Sequence, residues 1–319
     1  MGKMAFVFPG QGSQFVGMGK NLNEQNDRAH AYFKKADEKL GMDLTGTIFN
    51  GPEDVLTRTE NAQPALLTMS VALQCLLQDE GITPDYVAGH SLGEYSALVA
   101  AGSMTFEDAV YAVHHRGLLM DEAVPDGQGA MAAVLGLNVE ELVAVCQAVS
   151  KTGDTVQLAN LNSSNQIVIS GKTSGVEKAS ELAKETGAKR VMRLKVSGPF
   201  HSELMRPAAM KFQTILDATI IHDSKIPIVA NVTANTVSDA EGIQDLLIQQ
   251  LYSPVRWMES VQKLIDLGVT TFVEVGPGKV LSGLIKKINR EAVTHAVGDL
   301  ESLQEVVQHL KGKWENSGR

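Results

Sequence analysis

Tyr86-Val87-Ala88-Gly89-His90-Ser91-Leu92-Gly93-Glu94-Tyr95 carries the strongest architectural signal in this 319-residue chain. Residues 86–90 form a short apolar run that reads as a buried strand, and Leu92 to Ala101 is apolar at helical spacing. Between them, Gly89-His90-Ser91-Leu92-Gly93 fits the pattern G-x-S-x-G in the strand-then-helix context that a nucleophile elbow requires. A sharp turn of that kind forces its central residue into strained φ/ψ. The flanking glycines relieve clashes around it, and the serine projects at a helix N-terminus, where free N–H groups can hold an oxyanion. The plainer reading is a serine that caps the helix.

The same rhythm extends outward. Met4-Ala5-Phe6-Val7-Phe8 reads as a strand ending in the loop Pro9-Gly10-Gln11-Gly12-Ser13-Gln14. Helices are expected over about 25–40 and about 61–80, the second capped by Asn61 and stopped by Gly81, and another from Thr105. The best late strand is Thr271-Phe272-Val273-Glu274-Val275, followed by Gly276-Pro277-Gly278 and a helix. Short strands alternating with long helices argue for α/β with a parallel sheet.

A different unit begins near Pro125-Asp126-Gly127-Gln128-Gly129. Strand Ala130–Leu137, helix Asn138–Ser150, strands Thr155–Leu161 and Gln166–Ser170, helix Thr173–Thr186 and strand Arg190–Val196 give the order β-α-β-β-α-β in about 70 residues. That order matches the ferredoxin-like split βαβ. The expected division is a large domain of residues 1–127 and 198–319 with a small domain, 128–197, inserted into it. The polar end Asn316 to Arg319 is expected to fray.

Composition narrows the function. Lys and Arg total 28 against 37 Asp and Glu, a net charge of -9, which argues against general nucleic-acid binding. Hydrophobic residues at 44% exclude a disordered chain. No window approaches a membrane span, and the N-terminal apolar run is too short for a signal peptide. Two cysteines, Cys75 and Cys146, without a CxxC, suit a reducing cytoplasm and no zinc or redox site. Gly10-x-Gly12 does not continue as a nucleotide fingerprint, because position 15 is Phe15.

A serine hydroxyl needs a base to take its proton. Of eight histidines, His90 is adjacent to Ser91 and points elsewhere, and His114 and His115 lie in a helix. His201 differs, because it sits in the turn-rich Ser197-Gly198-Pro199-Phe200-His201-Ser202, where the chain re-enters the large domain.

Taken together, Phe8-Pro9-Gly10-Gln11-Gly12-Ser13-Gln14, the segment 89–95, His201, Gln250-Leu251-Tyr252-Ser253-Pro254-Val255-Arg256-Trp257 and Glu274-Val275-Gly276-Pro277-Gly278-Lys279 resemble the malonyl-CoA:acyl-carrier-protein transacylases, in their free-standing bacterial form. The resemblance spans almost the whole chain. It implies an α/β-hydrolase-like large domain with a ferredoxin-like insertion. It implies Ser91 as the acylated nucleophile, His201 as its base, and the Gln250 backbone carbonyl as the group that orients His201. It further implies the Gln11 and Leu92 backbone N–H groups as oxyanion donors and Arg116 as the partner of the malonyl carboxylate. Met120 and Met131 match positions near the acyl pocket. Phe200 could limit room for a branched acyl chain.

Each role has its own physical sense. Arginine presents a permanently charged fork that grips a carboxylate through two bonds. A thiolate leaves readily, so a thioester needs less push than an amide, and a Ser–His pair without a carboxylate suffices. No acid between Ser91 and His201 lies in a turn suited to complete a triad. The implied substrates are malonyl-CoA and acyl carrier protein, with no cofactor or metal. The rival expectations are a polyketide-pathway acyltransferase, a serine thioesterase and a non-enzymatic scaffold. An acidic carrier requires a local basic patch, for which Lys189, Arg190, Arg193, Lys195, Lys286, Lys287 and Arg290 are candidates.

Overall fold

The computed structural model describes residues 2–316. Its strands are β1 (Lys3–Phe8), β2 (Tyr86–Gly89), β3 (Gly129–Leu135), β4 (Val156–Ser163), β5 (Gln166–Lys172), β6 (Arg190–Arg193), β7 (Ile228–Val229), β8 (Thr236–Val237), β9 (Val269–Val275) and β10 (Val293–Val297). They form a six-stranded sheet of order β10-β9-β1-β2-β7-β8 and a four-stranded sheet of order β4-β5-β3-β6.

The large sheet is parallel except for β8, which runs antiparallel to β7. Its central strands are apolar without a break because both faces are covered. Along β1 the side chains alternate. Met4, Phe6 and Phe8 enter the core shared with the long helix Thr59–Asp79, whereas Ala5 and Val7 face the core formed with helices Trp257–Asp266 and Val280–Ile288. Register pairs Phe8 with Gly89, so the loops leaving β1 and β2 emerge side by side at the carboxyl end of the sheet. Ligands bind at that end in open α/β sheets.

The small sheet is antiparallel throughout, and its order is that of a ferredoxin-like unit. Here, too, alternation decides what faces what. Ala130, Ala132 and Val134 of β3 pack with Leu142, Val145, Val176 and Ala179 of the two covering helices. Met131 and Ala133 point the other way, into the main core. Asn138 opens the first covering helix with a capping box, its side chain accepting from Glu141 N while Glu141 reaches back to Asn138 N. Strand β4 is stitched to the segment leading into helix Trp257–Asp266, where Leu161 N donates to Val255 O at 2.9 Å and Val255 N donates to Ala159 O at 2.8 Å.

Three details differ from expectation. Asn61 is not a cap. The helix begins at Thr59 after Arg58, and Asn61 is buried in the first turn, with its amide donating to Val55 O at 2.9 Å. The segment from 25 splits at Asn26, whose side chain caps Asp27–Leu40 by accepting from Arg28 N and Ala29 N. The last strand of the small unit stops at Arg193 rather than Val196. Of the end expected to fray, residues 317–319 lie outside those described. Among the described residues no helix is long and apolar enough to cross a membrane.

Candidate active site

The turn after β2 is built as its glycines demand. A Cβ on Gly89 would lie 1.8 Å from the Gly93 carbonyl carbon, and one on Gly93 would lie 2.0 Å from Phe8 O. No side chain fits either place, so β1, the turn and the following helix close to backbone contact. Ser91 sits at the apex with φ 52, a left-handed conformation that costs a non-glycine residue about 1–3 kcal/mol. Asn231, just beyond β7, holds it there: its Oδ1 accepts from Ser91 N at 2.7 Å and its Nδ2 donates to Gly89 O at 2.6 Å.

His201 is the second strained residue, with φ 57. It is buried, and its backbone N donates to Leu251 O at 3.1 Å. Its Nε2 lies 2.8 Å from Ser91 Oγ, and its Nδ1 lies 2.8 Å from Gln250 O. With Nδ1–H donating to that carbonyl, Nε2 is left as an acceptor for the serine proton. Burial, and then the nearby Arg116 charge, push the imidazole down to about 3. His201 is therefore neutral at pH 7, as a base awaiting a proton must be. His90 turns away, its Nε2 2.8 Å from Asn162 Oδ1, though its ring still lines the cavity at Ser91.

Arg116 comes from helix Phe106–Glu122 and is 1% exposed. Its Nη1 donates to Gln63 Oε1 at 2.7 Å, and its Nη2 donates to Gln250 Oε1 at 2.9 Å and to Ser91 Oγ at 3.1 Å. Burial pulls the guanidinium down from its ordinary value, while Tyr95 and Glu94 oppose the fall. Its contacts are neutral oxygens, so an arriving carboxylate would find an aimed, buried cation. The cavity there has a volume of about 100 Å³ and is lined by Gln11, Leu92, Met120, Met131, Phe200 and Asn160, among others. Every residue singled out for the site from sequence thus lies in this cavity wall or bonds directly to it. A wider groove of about 980 Å³ adjoins it at Val196, lined by acids including Asp54, Glu60 and Asp121 together with the cations Arg58 and Lys195.

Sequence reasoning missed Asn231, Gln63, Asn162 and Glu94. Asn231 follows a strand of two residues and Gln63 lies inside a buried helix, so neither carries a local signal. Glu94 had one: an acid three residues after the serine, on an apolar helix.

An α/β fold with a serine at a strand–helix elbow, a neutral histidine against its oxygen and a buried arginine beside both is an arrangement suited to acyl transfer. The family described as "Acyl transferase domain" matches residues 5–312. The chain is 57% identical over 317 residues, 99% of this chain and 100% of the relative, to a malonyl CoA-acyl carrier protein transacylase of Bacillus subtilis. It superposes with a TM-score of 0.93, at 46% identity and covering 95% of this chain and 99% of the other, on an acyl carrier protein S-malonyltransferase of Vibrio cholerae. It also superposes with a TM-score of 0.94, at 42% identity and covering 96% and 99%, on a malonyl-transacylase in complex with its type II polyketide synthase acyl-carrier protein. The chain belongs to the acyl transferase domain family, within its malonyl-CoA:acyl-carrier-protein transacylases.

Proposed function

We propose that this enzyme moves the malonyl group from malonyl-CoA to the phosphopantetheine thiol of an acyl carrier protein, supplying fatty-acid synthesis, by a ping-pong route through malonyl-Ser91. Ser91 Oγ attacks the thioester carbonyl while His201 Nε2 takes its proton. The backbone N–H groups of Gln11 and Leu92 hold the oxyanion. The C–S bond breaks, and His201 returns the proton to the departing thiolate. The carrier thiol then attacks the acyl-serine by the reverse sequence. Arg116 grips the malonyl carboxylate, and the match of that negative charge to a buried cation selects malonyl over acetyl. Neutralising Arg116 also removes a repulsion that holds His201 down, so the right substrate strengthens the base. Met120, Met131 and Phe200 set the size of the acyl group.

The observation that carries this reading is the shared position of Ser91 Oγ, 2.8 Å from the base and 3.1 Å from the guanidinium. It brings His201 and Arg116 to one atom of Ser91, as the three assigned roles require. A general thioesterase has no use for the clamp. The chemistry calls for no cofactor or metal. The division into 1–127 with 198–319 and 128–197 belongs to the same proposal, supported by the separate core under the small sheet. A cytoplasmic setting fits two free cysteines, both buried.

Mass spectrometry of the protein mixed with malonyl-CoA tests the reading. An adduct of one malonyl group on Ser91, discharged onto added holo-carrier, is the expected result. No adduct, or discharge only to free malonate, refutes it. Comparing a fatty-acid carrier with a polyketide carrier in the discharge step assigns the pathway.

A further inference from the structure

Glu94 is the one acid buried within this network, and the mechanism above leaves it idle. It is 3% exposed, on the first turn of helix Gly93–Ala100. Its Oε2 accepts from Gln250 Nε2 at 2.7 Å and from Asn231 N at 3.1 Å. Those two partners divide the site between them. Gln250 offers its backbone carbonyl to His201 Nδ1, its side-chain oxygen to Arg116, and its Nε2 to Ser91 O at 3.1 Å. Asn231 holds Ser91 N and Gly89 O. One carboxylate oxygen is thus the common anchor of the residue that orients base and clamp and of the residue that holds the elbow.

We propose that Glu94, as a carboxylate, is the positioning residue that locks the Ser91–His201–Arg116 arrangement through Gln250 and Asn231. The inference rests on the Ser91–His201–Arg116 reading above. The physical argument is one of direction and charge. A glutamine amide can turn over, exchanging its oxygen and nitrogen at little intrinsic cost. Turned over, Gln250 would present N–H groups to Arg116 and an oxygen to Ser91 O, both repulsive. An anionic acceptor on the Nε2 side fixes the working orientation, because a bond to an ionised acceptor is about twice as strong as a neutral one. The charged and titratable groups that face Glu94 are Arg116, from helix Phe106–Glu122, and Tyr95, from its own helix. Gln250 and Asn231, from the remaining two elements, are uncharged, and His201 reaches Glu94 only through Gln250.

Burial raises Glu94 to about 7, against the smaller opposing pulls of Gln250, Asn231 and Arg116. His201 titrates far lower in the empty site. Since kcat/KM reports the groups of the free enzyme, an acid limb near pH 7 would belong to Glu94, and it would level off at a low plateau because a protonated carboxyl still accepts weakly.

The test is the pH profile of kcat/KM for serine acylation by malonyl-CoA, in wild type and in Glu94→Gln, with thermal melting as the control for folding. Glu94→Gln keeps the shape and removes the charge. It should be about tenfold slower than wild type at pH 8, the loss expected when charge-assisted bonds become neutral ones, and should show no acid limb. A limb that persists in Glu94→Gln, or an unchanged rate at pH 8, overturns the proposal. If that variant does not fold, Glu94→Asp decides: a slower enzyme with a displaced limb supports the role, and a wild-type profile refutes it. Wild-type protein that forms no malonyl-Ser91 would instead overturn the underlying reading, so the two failures are told apart.

Discussion

Replacing Arg116 by alanine tests the selectivity of the site. In the empty enzyme the guanidinium donates to Gln63 Oε1, Gln250 Oε1 and Ser91 Oγ, at 2.7, 2.9 and 3.1 Å. A malonyl carboxylate would exchange some of these neutral acceptors for a charged one. Hydrogen bonds to charged groups contribute about 1.5–3 kcal/mol each, so two of them, less the contacts given up, leave a net of about 2–4 kcal/mol. At 1.36 kcal/mol per factor of ten, malonyl transfer should fall by about 30- to 1000-fold. Acetyl has no carboxylate to place, so its transfer should change by no more than about fivefold, and the malonyl-to-acetyl ratio should drop by about two orders of magnitude. The variant also leaves the Gln63 and Gln250 oxygens without their donor, at about 1–3 kcal/mol each, offset by relief from burying a cation. Melting must therefore be measured beside activity. The assay is competition between equal concentrations of malonyl-CoA and acetyl-CoA, read as the mass of the acyl-enzyme. Arg116→Lys should fall between, since an ammonium cannot form the paired fork. If both acyl groups lose equally, Arg116 merely props the serine and histidine, and the reasoning fails.

Other outcomes follow from the same contacts. Gly93→Ala places a methyl 2.0 Å from Phe8 O, against the backbone of Phe8 and Pro9, and should abolish serine acylation and lower the melting temperature; a fully active Gly93→Ala would mean that the elbow can open. Folding stability should respond to pH with opposed signs at two residues. His201, pushed down to about 3 by burial, loses stability as pH falls from about 6.5 toward 3, whereas Glu94, raised to about 7, loses it as pH rises from about 4.5 to 7. Glu94→Gln should therefore gain on wild type by an amount on the order of 3 kcal/mol between pH 4.5 and 7, and denaturant melts showing a constant difference would contradict the sign. Lys286 and Lys287 are exposed at the end of helix Val280–Ile288, and Lys287 Nζ donates to Gln166 on the small sheet at 3.1 Å. Reversing both charges should raise KM for the carrier severalfold more than KM for malonyl-CoA. Equal effects in steady-state kinetics would remove the patch.

What could be read in the sequence was local. Gly89-His90-Ser91-Leu92-Gly93 announces its turn because the strand, the strained residue and the helix are consecutive. The β-α-β-β-α-β order of the small sheet was legible because Asn138 and Gly187 punctuate it and its strands alternate. The remainder depends on contacts between distant segments. Asn231 meets Ser91 across 140 positions, and only the adjacency of β2 and β7 creates the meeting. β7 has two residues and β10 is half-exposed along most of its length, so neither has a hydrophobic pattern of its own. Asn61 misled because capping chemistry looks the same whether the amide ends on its own helix or reaches back to Val55.

Strand β3 has a consequence for how acyl choice could diversify. Its even-numbered residues, Ala130 to Val134, belong to a core closed by helices Val139–Ser150 and Thr173–Glu185, while Met131 lines the cavity at Ser91. One part of the cavity wall, Met131 with Asn160, Leu194 and Val196, therefore comes from the segment of the small sheet, while Ser91 and the rest of the wall come from the segments of the large one. Repacking behind β3 would therefore move one wall of the cavity without touching the backbone contacts that close the elbow.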